Sequence, residues 1–389
     1  MHTRRTFLLS PLALAAASAW QPAAAATPKP NVVLIIATNW PAFAVPWAGD
    51  SNLTTPNIAK LANGGVTFSR AYACCARSDR ARLCLLKGVF PNKLAGPRVS
   101  VAELANEAAS LHAVFNQAGY RTSAFDSLQV DDIISFVHAP SAQPFYAEWT
   151  FDNVAARLME RMPFEDLHLR RNVPQEMQAK AKLDLSTFYA RAHTRDLDIG
   201  LVLRALDRPG LDDNTIVVFT SDHGEQFGSH GLHGHDVAFE ESIRIPLAIR
   251  FPGAIKAGSQ NGALISQTDI MPSLLRMCGV APPESVQGRD VSGLMLDVAG
   301  AEPPDSIYAM GKMDLPGTWR MVVRGYDKAV INADSQITEL FNLADDPLEL
   351  TNLSEAPSQE LNRASLLALQ KNWARRLGDG VDGSGLKTR

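Results

Sequence analysis

The chain alternates between short continuous apolar runs and longer segments in which apolar residues recur with helical spacing. Continuous, partly β-branched apolar runs at Val32–Ala37, Thr215–Thr220 and Pro246–Phe251 predict strands that are buried on both faces of a sheet. Shorter patterns at Tyr120–Phe125 and Phe145–Trp149 predict two further strands. Because such strands alternate with helical segments, the pattern predicts an α/β fold with a central, mostly parallel sheet flanked by helices.

Helical spacing marks several of the intervening segments. Val101–Gln117 and Glu176–Leu206 each carry an apolar stripe and are predicted helices. Towards the C-terminus, Met321–Ile331 and Ile337–Asn342 predict a small antiparallel sheet, and Leu361–Leu377 predicts an amphipathic helix.

Composition divides the 389 residues into four parts. Residues 1–26 form a targeting segment, and 31–300 are long enough to bury the core of the α/β domain. A proline-marked change near Glu302 introduces a C-terminal α+β subdomain at 301–377. The Gly/Ser-rich tail, 378–389, is predicted to be disordered.

The N-terminus resembles a twin-arginine export signal. Thr3–Leu8 carries the arginine pair, an apolar run follows at Phe7–Trp20, and Ala23–Ala26 offers a small-residue cleavage site. The apolar run is too short to span a bilayer comfortably, so we expect a periplasmic or secreted protein with no stable membrane span after cleavage. A retained anchor is the alternative.

Charge and cysteine content exclude some function classes. The net charge of −4 does not favour nucleic acid as a partner. The four cysteines, Cys74, Cys75, Cys84 and Cys278, lack the paired spacing of a metal site, and packing is the favoured reading of the adjacent pair. A Cys75–Cys84 or Cys84–Cys278 disulfide stays open.

The stretch Tyr72–Gly88 contains the most chemically informative residues. Arg82–Lys87 has the apolar content of a short buried helix that Gly88 would end, and Ser78 would cap its N-terminus. Arg77, Arg80 and Arg82 add three positive charges around this helix start, so the pattern predicts an anion-binding turn with a hydroxyl at its centre. A capped helix with surface arginines is the alternative interpretation.

Polar pairs follow two of the predicted strands. Thr38 and Asn39 follow the first, and Asp222 and His223 follow the strand at Thr215–Thr220. Ligands of parallel sheets collect at the carboxyl ends of strands, so we expect these distant segments to meet in one crevice. A simple strand-end turn is the alternative for Asp222 and His223.

These motifs together resemble the sulfatase family of the alkaline-phosphatase-like superfamily. Ser78, Arg82, Leu86 and Gly88 match the spacing of the signature Cys/Ser-x-Pro/Ala-x-Arg-x-x-x-Leu-x-Gly. The flanking segments are similar to the family's in the same order: Asn31–Asn39, Thr54–Tyr72, Asp212–Glu225, Glu240–Gly253, Gln267–Val291 and Glu339–Leu353. The resemblance covers almost all of the chain after its targeting segment.

The resemblance implies hydrolysis of sulfate esters. In that family the first signature residue is oxidised to formylglycine, and a divalent cation, usually calcium, binds the sulfate. Carried over residue by residue, Ser78 is the nucleophile and Arg82 the arginine of the helix start. His235 stands in place of a sulfate-contacting lysine, where it would serve as a proton donor or an anion contact.

The implied metal ligands are Thr38, Asn39, Asp222 and His223. Thr38 and Asn39 replace a pair of aspartates, so the set holds one carboxylate and calcium affinity should be weak. Zinc is the alternative, with His230 and His233 as further ligands. Arg80 stands where the family has proline or alanine, which argues against conversion of Ser78 to formylglycine.

Three functions remain open. The first is an exported sulfatase, the second an impaired homologue that binds a sulfated or anionic small molecule or glycan, and the third a serine-nucleophile phosphate or phosphonate esterase. Neither the substrate nor the oligomeric state can be predicted from the rim loops, which carry no recognisable motif.

Overall fold

The computed structural model describes residues 28–94, 109–126, 129–151, 166–313 and 316–380. The predicted targeting segment, 1–26, lies outside the described residues. None of the helices within the described ranges is both long and apolar enough to cross a membrane.

The central sheet contains eight strands in the order β3-β4-β1-β5-β7-β2-β6, and β8 pairs with β2. The strands are β1 (Asn31–Ala37), β2 (Val66–Tyr72), β3 (Arg121–Phe125), β4 (Phe145–Phe151), β5 (Thr215–Ser221), β6 (Arg244–Ile245), β7 (Leu247–Arg250) and β8 (Ser259–Ser266).

The sheet is parallel where the candidate site forms. Strand β1 lies between β4 and β5, parallel to both, and all its residues are buried, as its apolar run predicted. Ala37 pairs with Phe151 on one side and with Ser221 on the other, so three carboxyl ends lie side by side. Strand β7 is antiparallel to β5 and β2. The predicted α/β architecture is confirmed, with this antiparallel element added.

The helices of the described ranges lie on both faces of the central sheet, except the last one, which packs on the C-terminal sheet. They are α1 (Pro56–Asn63), α2 (Ser78–Lys87), α3 (Leu111–Gln117), α4 (Val130–His138), α5 (Gln178–Leu206), α6 (Glu240–Ile243), α7 (Ile270–Met277), α8 (Ser292–Met295) and α9 (Glu360–Leu377). Apolar residues of α2, α3 and α7 share one core, and those of α1, α4 and α5 share the core of the opposite face. The predicted helix at Val101–Gln117 is described only from residue 109 onward, where α3 begins after the capping residue Ser110.

The C-terminal subdomain is a four-stranded antiparallel sheet with α9 packed on it. Its order is β12-β11-β10-β9, with β9 at Ser306–Gly311, β10 at Trp319–Arg324, β11 at Asp327–Asn332 and β12 at Ile337–Asn342. The segment predicted as Met321–Ile331 is therefore a hairpin of two strands, β10 and β11.

A buried ion pair and an ordered tail residue fix this subdomain. Lys328 lies 3.0 Å from Glu240 of α6 and 2.7 Å from Glu349, and all three side chains are buried. The prediction of a disordered tail was wrong at Asp379, which accepts hydrogen bonds from Arg320 and Tyr308 at 2.7 Å. A buried carboxylate with these partners is held in place. Residues 381–389 lie outside the described ranges.

Candidate active site

The first feature of the site is the junction of β1 and β5. The Asp222 N–H donates to the Ala37 carbonyl at 3.0 Å, and the Asn39 N–H donates to Asp222 Oδ1 at 3.1 Å. Asn39 adopts φ = 57°, a left-handed conformation that asparagine tolerates better than most residues. The two segments predicted to converge therefore do so, through backbone and side-chain hydrogen bonds.

The turn after β5 is packed too tightly for any residue but glycine at position 224. A Cβ atom there would lie 2.0 Å from the Glu241 carbonyl oxygen. The Gly224 N–H instead donates to the Ser242 carbonyl at 2.8 Å. Asp222 and His223, just before it, are fully buried. The turn thus fixes both side chains between the sheet and α6.

Helix α2 begins at Ser78 rather than at Arg82, and its N-cap is Arg77. The prediction that Ser78 caps the helix was therefore wrong. Ser78 is the first helical residue, and its Oγ lies 2.7 Å from His223 Nε2 instead. Gly88 does end the helix in a left-handed conformation, as predicted. The helix start thus presents the hydroxyl to the end of β5.

The tautomer of His223 follows from its other nitrogen. His223 Nδ1 lies 2.7 Å from the Gly224 carbonyl oxygen, which only accepts hydrogen bonds. The proton of the neutral ring must therefore be on Nδ1, which leaves Nε2 as an acceptor. Ser78 consequently donates its hydroxyl proton to His223 Nε2. This is the arrangement of a serine nucleophile with a histidine general base.

His235 lies beside this pair. Its ring centroid is 4.2 Å from that of His223, and its Nδ1 donates to the Ala76 carbonyl at 2.7 Å. Burial and the neighbouring His223 lower the pKa of His235. The ring is therefore neutral at neutral pH, with Nε2 unprotonated.

The arginines of the stretch do not converge on Ser78. Arg77 pairs with Asp79 at 3.0 Å, and Arg80 donates to the Pro91 carbonyl at 3.3 Å. The predicted turn with three arginine charges around one hydroxyl was therefore wrong, since local partners hold Arg77 and Arg80.

Arg82 lies one helical turn after Ser78 and acts electrostatically on Glu148 of β4. Burial raises the pKa of Glu148 to about 7, while the hydroxyl of Tyr146 and the charge of Arg82 oppose this rise. Tyr146 donates to Glu148 at 3.0 Å. Arg82 thus faces a buried acid that takes up protons near neutral pH.

Two residues of the site were not identified from the sequence. The Gln267 side chain donates to the Asp222 carbonyl at 2.9 Å and accepts from the Cys74 N–H at 3.4 Å, so it joins the end of β5 to the segment before Ser78. Glu225 accepts a hydrogen bond from the Asn39 side chain at 3.3 Å, and burial raises its pKa. Glu225 could have been identified from the sequence because it lies three residues after Asp222. No sequence feature indicated that Gln267 belongs to the site.

Comparison with known proteins now identifies the family. The sulfatase family model matches residues 30–131 and 138–280. The chain belongs to the sulfatase family. A second model, N-sulphoglucosamine sulphohydrolase, C-terminal, matches residues 228–372. Members of this family hydrolyse sulfate esters.

Curated sulfatases are similar along most of their length. An ulvan-active sulfatase of Formosa agariphila is 26% identical over 423 aligned positions, which cover 90% of this chain and 82% of the relative. An N-acetylglucosamine-6-O-sulfatase of Bacteroides thetaiotaomicron is 24% identical and covers 78% of each.

Solved structures confirm the alkaline-phosphatase-like fold. A protein solved with its substrate D-glucosamine-2-N,6-O-disulfate has a TM-score of 0.75 at 19% identity, covering 92% of this chain and 100% of that one. A phosphonate monoester hydrolase of Agrobacterium radiobacter has a TM-score of 0.73 at 19% identity, covering 90% and 96%.

This chain supplies only some of the ligands that the divalent cation of the sulfatase family requires. Asp222 Oδ2 and Asn39 Oδ1 are buried oxygens without a hydrogen-bond partner. These two oxygens fit a cation that takes most of its ligands from water and substrate, but they do not make a closed cage for calcium, which takes six to eight oxygens. Thr38 adds no carboxylate, and His223 Nε2 is occupied by Ser78.

The two histidines of the zinc alternative, His230 and His233, contact different partners. His230 stacks on Phe239 with centroids 3.8 Å apart, whereas His233 lies 3.2 Å from Asp184. His235 instead faces His223. The three histidines of this sulfatase loop therefore have separate partners.

A pocket of about 350 Å³ opens beside the crevice. Its wall includes Asn39 and Glu225 from the site and Arg191 from α5. Lys180 and His233 on the same wall both contact Asp184, so their charges are partly compensated. The pocket thus gives a polar cavity beside Asn39 and Glu225.

Proposed function

We propose that this sulfatase-family chain hydrolyses sulfate monoesters of carbohydrates or similar alcohols, with unmodified Ser78 as the nucleophile and His223 as the general base. The observation that carries the proposal is the 2.7 Å hydrogen bond from Ser78 Oγ to His223 Nε2. The curated relatives act on sulfated glycans by name, which supports this substrate class.

In the first step Ser78 Oγ attacks the sulfur of the ester and its proton passes to His223 Nε2. The bond from sulfur to the alcohol oxygen breaks in line with the attack, and a sulfo-serine remains. The departing oxygen takes a proton from water in the adjoining pocket, or from His235 when its Nε2 is protonated. The lowered pKa of His235 favours water as the donor at neutral pH.

The second step restores the serine. After His223 loses its proton to solvent, Nε2 accepts a proton from a water molecule that attacks the sulfur of sulfo-Ser78. The bond between sulfur and Oγ breaks, sulfate leaves, and Ser78 Oγ takes its proton back from His223 Nε2. In this scheme, attack of water on sulfur replaces the expulsion of sulfate by the second hydroxyl of formylglycine.

The oxygens of Asp222 and Asn39 would hold a divalent cation weakly. Such a cation would neutralise negative charge on the sulfate oxygens. The Asn39 side chain also donates a hydrogen bond to Glu225 at 3.3 Å, so it is already oriented by the chain's own groups.

The serine–histidine pair also supports a second candidate, hydrolysis of phosphate or phosphonate monoesters. A serine nucleophile suits phosphoryl transfer, and the phosphonate monoester hydrolase fold is similar to this one.

The sequence of the N-terminal segment further supports export to the periplasm by a twin-arginine route.

The test is a comparison of aryl sulfate, aryl phosphate and aryl phosphonate monoesters with purified protein and Ser78→Ala. Sulfate ester turnover that exceeds the other two and requires Ser78 supports the proposal. Faster Ser78-dependent turnover of phosphorus esters favours the second candidate. Tight binding of a sulfated glycan without any turnover would instead identify an impaired, ligand-binding homologue.

A further inference from the structure

Three of the four cysteines meet in one buried cluster. The sulfur atoms of Cys74, Cys75 and Cys84 all lie within 4.8 Å of one another. All three side chains are buried, and all are free thiols. Cys278 lies elsewhere, beside Tyr120. The fold therefore brings three of the four thiols together at one place.

The surroundings of the thiol cluster are apolar and closed. Cys74, Cys75 and Cys84 share a hydrophobic core with Phe90 and Met310. The Met310 N–H donates to the Cys74 carbonyl at 2.9 Å, so β9 closes one side of the cluster. The Gln267 side-chain oxygen lies 3.7 Å from Cys74 Sγ. The sulfurs are thus surrounded largely by buried apolar side chains.

We propose that Cys74, Cys75 and Cys84 form a closed thiolate site for one soft d¹⁰ metal ion, zinc(II) or copper(I). Thiolates select these ions over calcium and magnesium. A metal–sulfur bond of about 2.3 Å places the sulfurs of such a site roughly 3.7–4.0 Å apart. The three sulfurs already lie within 4.8 Å of one another, so they would need to approach by about 1 Å at most.

Binding must displace thiol protons. The thiolate, rather than the thiol, is the form of cysteine that ligates a metal ion. Three bare thiolates in an apolar core would be too costly, and a bound cation removes most of that cost. Binding therefore releases protons, and affinity rises with pH.

The position of the thiol cluster links it to the Ser78 turn. Cys75 stands three residues before Ser78, and Cys84 lies on α2 behind it. A bound ion would tie the segment before the helix to the helix itself. It would thus stabilise the helix start that presents the nucleophile, without contacting the substrate.

The test measures metal content in full-length protein made separately in zinc- and copper-supplemented media. The affinity tag is removed, and each sample is passed through gel filtration with a chelator before elemental analysis. We expect about one zinc or copper per chain in the wild type and in Cys278→Ala, and less than about a tenth in Cys84→Ala. Asp222→Asn should retain the ion, which separates this site from the oxygen ligands of the crevice.

X-ray absorption of the loaded wild type provides a measurement that needs no variant. Three sulfur neighbours at about 2.3 Å support the proposal. A wild type free of zinc and copper, or full metal retention in Cys84→Ala, would overturn it. A disulfide between two of Cys74, Cys75 and Cys84, found by peptide mapping without reduction, would also overturn it.

Discussion

The hydroxyl of Ser78 lies 2.7 Å from Nε2 of His223, although 145 positions separate the two residues in the chain. The Gly224 carbonyl holds the other nitrogen of that ring at 2.7 Å, which fixes Nε2 as the acceptor. A nucleophile and an oriented base are therefore built from helix α2 and the end of β5. The first prediction concerns this pair.

Removing either member of the pair should abolish most of the activity. We expect His223→Gln to lower kcat by about 10²–10⁴-fold, because the hydroxyl loses its proton acceptor in both steps. Ser78→Ala should leave only background turnover. The exposed His193→Gln is the matched control and should behave like the wild type. Steady-state kinetics with melting curves on each variant check this, and a His223→Gln enzyme with unchanged kcat would exclude the base role.

Arg191 should contribute to substrate binding rather than to chemistry. Its guanidinium lines the pocket beside Asn39, where a sulfated or carboxylated sugar would place a second anionic group. A lost charged hydrogen bond corresponds to a rise in KM of about tenfold, with kcat changed less than about twofold. Arg204→Ala, exposed on the same helix, is the control. The prediction fails if Arg191→Ala lowers kcat and leaves KM unaltered.

Calcium affinity should respond to one added carboxylate. Asn39→Asp places a second acidic side chain beside the buried, unpartnered Asp222 Oδ2, and charge count governs affinity for hard cations. We expect calcium to raise the melting temperature of this variant at concentrations at least about tenfold lower than in the wild type. Asn63→Asp, at an exposed site, should not shift the midpoint. Equal midpoints for Asn39→Asp and the wild type would refute the cation site.

Glu148 should make the protein less stable as pH rises towards neutrality. Its folded pKa of about 7 lies above the ordinary 4.5, so the folded state holds a proton that the unfolded state has lost between these values. Stability therefore falls across this window, by an upper limit of about 3 kcal/mol, and is level above it.

Glu148→Gln removes the titration and should flatten the pH dependence of the melting temperature between about pH 5 and 7. The exposed Glu284→Gln should keep the slope of the wild type. An unchanged slope in Glu148→Gln would show that the buried acid does not titrate there.

The fold was largely predictable because its signals are local. The continuous apolar run of β1, the long stripe of α5 and the left-handed Gly88 each determine their own structure. The meeting of Asn39 with Asp222 also followed from sequence, since both residues come directly after buried strands.

The details of the site were not predictable, because they depend on contacts between distant segments. A helix start is uncertain by a residue or two from sequence, and Ser78 lies inside the helix because His223 offers its hydroxyl a better partner than the helix does. The Arg80 side chain donates a hydrogen bond to the Pro91 carbonyl instead of surrounding Ser78, and no sequence feature indicated this contact. The proximity of Cys84 to Cys74 likewise depends on the orientation of α2 relative to the segment that precedes it.

The most direct measurement of the central claim is mass analysis of the peptide that carries Ser78, acid-quenched during turnover of an aryl sulfate. The account predicts an intact serine before substrate is added and one SO₃ group on Ser78 during turnover. Both species should be absent from Ser78→Ala, which tests the assignment of the modified residue. A peptide that lacks two hydrogens at Ser78 before substrate is added, as formylglycine requires, would contradict the serine–histidine mechanism.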